Sequence, residues 1–208
     1  PNNKKPQYRM HPLICSTTLV TFAAMLISIA LGIGTASFIA IYASPRLKNI
    51  LKPTIEMLAA IPSVVIGFLG IVMVSPGIAN LADLPNGLNA LNGAILLAVM
   101  ALPTIITVAE DAIHAVPNAY KEASYGLGAN KWQTLRKVII PAAAPGIIAA
   151  VMLGVGRAIG ETMTVLMATG NASLIPNGMF DSVKTMTATI AIEMGEVPYQ
   201  TTHYYALY

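Results

Sequence analysis

The sequence predicts an all-α membrane protein, a polytopic helical bundle, on three observations. Hydrophobic residues make up 55% of the chain and charged residues only 10%, whereas a soluble domain carries about 25% charged residues. Mean hydropathy is +0.67. The apolar residues come in long uninterrupted runs, each matching the roughly 20 residues that cross a hydrocarbon core. A chain of 208 residues is then expected to be one transmembrane domain, residues 1–208, without a second sizeable soluble domain.

The first run is Thr17 to Ala43, and it closes on Ser44-Pro45-Arg46. It is too long for a signal-peptide core and lacks a cleavage pattern. The second is Pro53 to Leu81, with Pro62 near its start, and Asp83-Leu84-Pro85-Asn86-Gly87 after it reads as a turn. The third, Leu91 to Ala109, contains Pro103, where a kink is expected. The fourth is Pro141 to Thr169. Small residues in these runs, among them Gly32, Gly34, Ala36, Gly67, Gly70 and the pair Gly156/Gly160, allow close helix approach.

Parity then decides which connections share a compartment. Two spans separate Arg46–Lys52 from the polar stretch Glu110–Ile140, so the two lie on one side. The first carries Arg46, Lys48 and Lys52, and the second carries Lys121, Lys131, Arg136 and Lys137. The connection from Leu81 to Leu91 has no basic residue. By the positive-inside rule the basic pair is cytoplasmic. Lys4, Lys5 and Arg9 go against this assignment, and a missing upstream span is the expected explanation for them. Residues 171–200 are then external, with Val183, Met186, Ile190 and Met194 at helical spacing. That pattern reads as an amphipathic helix, either on the outer surface or covering the bundle. Beyond it Tyr199, His203, Tyr204, Tyr205, Ala206, Leu207 and Tyr208 form an aromatic cluster of the interfacial kind that opens a further span.

Several function classes are excluded. No G-x-x-x-x-G-K-[ST] occurs, so the chain has no P-loop for ATP. No nucleophile–base constellation is present, so no enzyme activity is expected. His11, His114 and His203 are dispersed and have no metal-ligand spacing. Cys15 is the only cysteine, so no intramolecular disulfide forms. The net charge of +3 sits between apolar runs, which suits membrane topology and not nucleic acid. Glu56, one turn beyond Lys52, is expected to pair with it, and Glu110 and Asp111 to belong to the polar loop.

Two charges fall inside a span. Arg157 and Glu161 are four residues apart and on one helix would share a face. An Arg near the centre of a lone span costs about 2.5–3.5 kcal/mol, so it must face the bundle interior or water. Spacing leaves two readings open: a self-neutralising ion pair between packed helices, or an anion path in which the guanidinium fork meets an oxyanion.

The polar stretch 110–140 is bounded by Pro117 and Pro141 and reads as a short helix, a glycine turn and a second short helix. Trp132 and Leu135 give that second helix an apolar side, and Lys131, Arg136 and Lys137 a charged one. Within the stretch, Glu122-Ala123-Ser124, three residues, Gly128, nine residues and Val138-Ile139-Ile140-Pro141 resemble the EAA loop of bacterial ABC-importer permeases. The resemblance narrows to the phosphate-specific permeases, and to their C-type subunit, through three further segments. These are Leu58-Ala59-Ala60-Ile61-Pro62-Ser63-Val64-Val65-Ile66-Gly67, Glu110-Asp111-Ala112-Ile113 running into Val116-Pro117, and Gly156-Arg157-Ala158-Ile159-Gly160-Glu161-Thr162.

The resemblance implies a MetI-like permease bundle lacking the first and last spans of the family's six-span plan. It implies inward transport of inorganic phosphate across the plasma (inner) membrane. ATP would be bound by a partner ATPase dimer, with no cofactor in this chain. A second permease subunit and an extracytoplasmic phosphate-binding protein would complete the assembly. Lys121, Glu122, Ala123, Ser124, Gly128 and Pro141 would form the ATPase-coupling loop, and Arg157, Glu161 and Thr162 the substrate pathway. Glu161 would either hold Arg157 in place or accept a hydrogen bond from the protonated oxygen of hydrogen phosphate. Another oxyanion such as sulfate or molybdate, and an ATPase-independent channel or scaffold, are the alternatives.

Overall fold

The computed structural model describes residues 10–198, 200, 201, 204 and 205. Lys4, Lys5, Arg9, Tyr199, His203, Ala206, Leu207 and Tyr208, which entered the charge and aromatic-belt expectations, lie outside the described residues. The described fold is helical, and its only β pairing is an isolated parallel bridge between Gly170 and Val183. Among the described residues four helices are long and apolar enough to cross a membrane: Met10–Ile41, Ser63–Ala82, Ala90–His114 and Lys131–Gly160.

The helices are α1 (Met10–Ile41), α2 (Pro45–Ala59), α3 (Ser63–Leu69), α4 (Ser75–Ala82), α5 (Ala90–His114), α6 (Asn118–Gly126), α7 (Lys131–Thr134), α8 (Ile140–Gly160), α9 (Met163–Ala168) and α10 (Met186–Glu193). A π turn, Gly70–Val74, joins α3 to α4, and another, Leu135–Ile139, joins α7 to α8. The chain divides into two compact units. One holds residues 24–62 and 98–158, and the other holds residues 1–23, 63–97 and 159–208.

In the first unit, α5 and α8 share a core with the C-terminal part of α1. Ala36, Ile39, Ile106, Ala109, Ile113, Leu135, Ile139 and Ala143 are buried together. Gly154 lies against Ile105, where an added Cβ would come within 2.7 Å of its side chain. The expected small-residue pair does not work this way, because nothing lies within 4 Å of a Cβ at Gly156 or Gly160. Buried Ser28 satisfies its hydroxyl by donating to the carbonyls of Ala24 (2.8 Å) and Ala98 (3.2 Å).

The second apolar run is not one span. Residues up to Ala59 belong to α2, and the membrane-length helix starts at Ser63. The reason is Pro62, which lacks an N–H and disfavours helical geometry at Ile61. Helix α2 starts at a Ser44 N-cap followed by Pro45, a favoured pairing, and buries none of its residues.

Charge holds α2 in its unit. Lys52 Nζ donates to Glu110 Oε2 (2.9 Å) and Asp111 Oδ1 (3.0 Å), and Lys48 Nζ pairs with Glu110 Oε1. The expected Lys52–Glu56 pair is therefore corrected: Lys52 is taken by α5, and Glu56 is exposed. Glu110 and Asp111 are likewise not loop residues. Helix α5 runs on to His114, which puts them inside it.

In the second unit, Asn92 ties three elements together. Its Nδ2 donates to the carbonyls of Ala168 (3.2 Å) and of Gly70 (3.4 Å), the first residue of the π turn. A π turn disturbs the regular ladder, and a side-chain amide occupies one of the carbonyls there. The segment after α9 is held by Val183 N donating to Thr169 O (2.9 Å) and Asn171 N donating to Val183 O (3.1 Å).

The expected external amphipathic helix is much shorter than residues 171–200, since among the described residues there only Met186–Glu193 is helical. Val183 lies before it, fully buried in the bridge. Helix α10 buries Ala188 and Thr189, whereas Ile190 and Met194 of the expected apolar face are exposed. The spacing was read in register with Val183, and the backbone leaves helical geometry between Val183 and Met186.

Candidate functional site

The fourth apolar run breaks where the charges are. Helix α8 ends at Gly160, and α9 begins at Met163. Arg157 lies in the last turn of α8, and Glu161 and Thr162 form the link. The expectation that Arg157 and Glu161 share one face of a continuous helix is thereby corrected. The fourth membrane-length helix also starts earlier than expected, at Lys131, and ends earlier, at Gly160.

The link has a local physical cause. Glu161 Oε1 accepts from Thr164 N (3.3 Å), which satisfies an otherwise orphan N–H of α9. Its backbone carbonyl accepts from Thr187 Oγ1 (2.8 Å) on α10. Thr162 Oγ1 donates to Gly160 O (3.4 Å). Half-buried Glu161 is thus a cap and a docking point, with its second carboxylate oxygen left for other partners.

A second break meets this one. Thr164 Oγ1 donates to the carbonyl of Ser63 (3.1 Å), the first residue of α3. Gly67 makes the close packing of α3 on α9 possible, because a Cβ there would lie 2.9 Å from Met167 Sδ and 3.3 Å from Thr164 Cα. Residues 63–67 and 161–162, singled out separately in the sequence, are therefore joined through Thr164 in one unit. Thr164 and Thr187 complete the arrangement. Sequence reading missed both, and only the doubled use of threonine at helix starts hinted at them.

Arg157 is exposed and has no hydrogen bond or ion pair among the described residues. Within a bilayer a lone guanidinium of this kind is stable only against water, an anion or another subunit.

The polar knuckle follows its expected plan. Helix α6 carries Lys121, Glu122, Ala123 and Ser124, and α7 follows a turn at Gly128 with φ +83°. Glycine alone takes that conformation without strain. Glu122 and Ala123 are exposed, Lys121 is half-buried and Pro141 is exposed in the first turn of α8. Ser124, the departure from a second alanine, is buried, and its hydroxyl bonds that of buried Thr134 at 2.9 Å. Asn130 and Gln133 form a reciprocal capping box that starts α7. Leu135 is buried as expected, but Trp132 is 60% exposed and does not share its side.

Lys52, outside the membrane-length helices, has its ammonium held well above the usual lysine range by hydrogen bonds to Glu110 and then Asp111. Among the described residues no group of three His, Cys, Asp or Glu side chains could hold a metal ion.

Known proteins are similar to this chain. A probable ABC transporter permease protein, YqgH of Bacillus subtilis, is 42% identical over 199 residues, covering 96% of this chain and 64% of the relative. The phosphate transport system permease protein PstC of Mesorhizobium japonicum is 36% identical over 202 residues, covering 88% of this chain and 62% of the relative. The chain thus spans less than two thirds of the length of these relatives. A solved chain of the MetNI methionine ABC transporter in inward-facing conformations superposes with a TM-score of 0.73 at 19% identity. That match covers 97% of this chain and 89% of the other, and it shows a common fold, MetI-like and all-α. Four apolar helices and membrane-permease relatives make this a multi-pass inner-membrane protein. The family model for the inner membrane component of binding-protein-dependent transport systems matches residues 28–195, and the chain belongs to that family.

Proposed function

We propose that this chain is a membrane-spanning permease subunit of an ABC importer that moves inorganic phosphate inward, with ATP hydrolysed by a separate subunit. The observation that carries the reading is the meeting of two helix breaks, Thr164 Oγ1 on Ser63 O beside Glu161. Irregular backbone at membrane depth is tolerated where it is buried in protein or lines a cavity, and transporters build binding points at such breaks. The name of the PstC relative, at 36% identity, supports phosphate as the cargo. Arg157, Glu161 and Thr162 line the path, the guanidinium meeting the oxyanion two oxygens at a time.

The knuckle of Lys121, Glu122, Ala123, Ser124 and Gly128 docks an ATPase dimer on the cytoplasmic side, and Pro141 leads its motion into α8. One continuous helix from Lys131 to Gly160 runs from the knuckle to Arg157. A second permease subunit, related but not identical, and an extracytoplasmic phosphate-binding protein complete the assembly. The chain itself performs no bond-making chemistry.

The test is uptake of labelled phosphate by the complete transporter in vesicles, with sulfate and molybdate as competitors. ATP-dependent phosphate uptake that neither competitor displaces is expected. Equal displacement by sulfate or molybdate would transfer the reading to another oxyanion, and uptake without the ATPase would make the chain a channel. Arg157→Ala should abolish uptake while the assembled complex and its ATPase stay intact. Normal transport by that variant would remove Arg157 from the path.

A further inference from the structure

Residues 159–201 contain a single Lys or Arg, Lys184, against Glu161, Asp181, Glu193 and Glu196. Asp181 is used locally, its Oδ2 accepting from Asn177 N (2.7 Å) and Gly178 N (3.0 Å). Lys184 is different. Its side chain is only 12% exposed, and Nζ donates to Glu193 Oε1 at 2.8 Å.

The geometry of that bond is unusual. Lys184 lies two residues before α10, and Glu193 is the last residue of α10. An eight-residue helix is about 12 Å long, so the lysine stem must stretch along it to reach the far end. The pair is largely buried, with side chains 12% and 28% exposed, and it joins the segment before α10 to the last residue of α10. The first turn of α10 is meanwhile bonded to the site: Thr187 Oγ1 donates to Glu161 O, and Met186 N donates to Thr17 Oγ1 (3.0 Å). The backbone of Lys184 thus sits at the end of α10 that touches Glu161, while its charge rests at the other end.

We infer that Lys184 is a further anion-contacting residue of the transport path, whose ammonium exchanges Glu193 for the entering anion. This rests on the phosphate reading given above. A lysine is a compact charge on a flexible stem with three donors, which suits it to transfer between partners. The exchange is favoured for phosphate, which carries up to two negative charges, over the single charge of Glu193. Released from Glu193, the stem folds back toward the start of α10 and the Glu161 link. No bond is made or broken in this step.

The two partners are predicted to act in opposite directions. Lys184→Gln removes the cation and should raise the KM for phosphate about five-fold, the scale of one charge pair near water. Glu193→Gln removes the competitor and should lower KM, while slowing release and therefore turnover. Lys184→Arg keeps the charge and should leave KM near the wild-type value. The measurement is phosphate uptake by the complete transporter in vesicles, normalised to the amount of permease in the membrane. A pair that only tethers α10 would move Lys184→Gln and Glu193→Gln the same way, and that result overturns the inference. An unchanged KM in Lys184→Gln overturns it as well and leaves the phosphate reading standing. Should Lys184→Gln fail to insert, the direction of the Glu193→Gln shift decides alone. A wild-type transporter that takes up no phosphate overturns both readings.

Discussion

Removing both lysines from α2 should destabilise the protein far more than removing them together with Glu110. Glu110 is 2% exposed, and its carboxylate is held by Lys48 and Lys52. Their side chains are 27% and 36% exposed, so either ammonium can return to water, but the Glu110 side chain at 3% cannot. The double change Lys48→Met with Lys52→Met leaves a buried, uncompensated carboxylate, which costs about 3–5 kcal/mol. At roughly 2–4 °C per kcal/mol for a chain of this size, Tm should fall by at least about 6 °C. Adding Glu110→Met to the pair replaces the charge by apolar atoms of similar volume and should recover all but about 1 kcal/mol. The assay is thermal unfolding of the detergent-solubilised complex, with Lys48→Met, Lys52→Met and the triple variant measured together. A triple variant no more stable than the double would refute the reasoning. It would mean that the contacts of the lysine stems, and not the stranded charge, hold α2 to α5.

Three other outcomes follow from particular contacts. Ser124→Ala should cost about 1–3 kcal/mol in thermal unfolding, because it strands the fully buried hydroxyl of Thr134. Adding Thr134→Val should recover much of that loss. Gly128→Val forces a β-branched residue into φ +83°, a strain of about 1–3 kcal/mol, and should lower the amount of ATPase subunit recovered with the complex. Lys52 is held above its ordinary range, so the stability it contributes is complete below about pH 10.4 and is lost only as pH rises through the still higher folded value. The Tm difference between wild type and Lys52→Met should therefore stay constant from about pH 6 to about pH 9 and shrink only above about pH 10.4.

Much of the site was legible as residue types. The knuckle from Pro117 to Pro141 follows the predicted plan of helix, turn and helix, because proline and glycine act through their own backbone geometry. The sequence shows Ser124 only as a serine where the EAA pattern has its second alanine. Its partner Thr134 is ten residues away, and the hydroxyl pair exists only once α6 folds onto α7. Arg157 was singled out by its charge within an apolar run, and the structure shows only that it is exposed in the last turn of α8. The role of Glu161 was not found, because it depends on Thr164 N and Thr187 Oγ1 arriving at its two ends.

The sequence by itself determined that this chain is a multi-pass helical membrane protein of the permease family, and roughly where its apolar helices lie. Hydropathy is additive along the chain and survives any arrangement of the helices. Tertiary structure decided where the helices stop and which charges meet. Lys52 had a carboxylate four residues away, yet it bonds Glu110, 58 residues distant. Arg157 and Glu161 had helical spacing, yet a cap and a docking hydroxyl draw Glu161 off the helix. A buried charge must be paired, because leaving it uncompensated is costly, and it pairs with whichever opposite charge folding brings within reach. That partner is chosen by packing, and spacing along the chain does not reveal it.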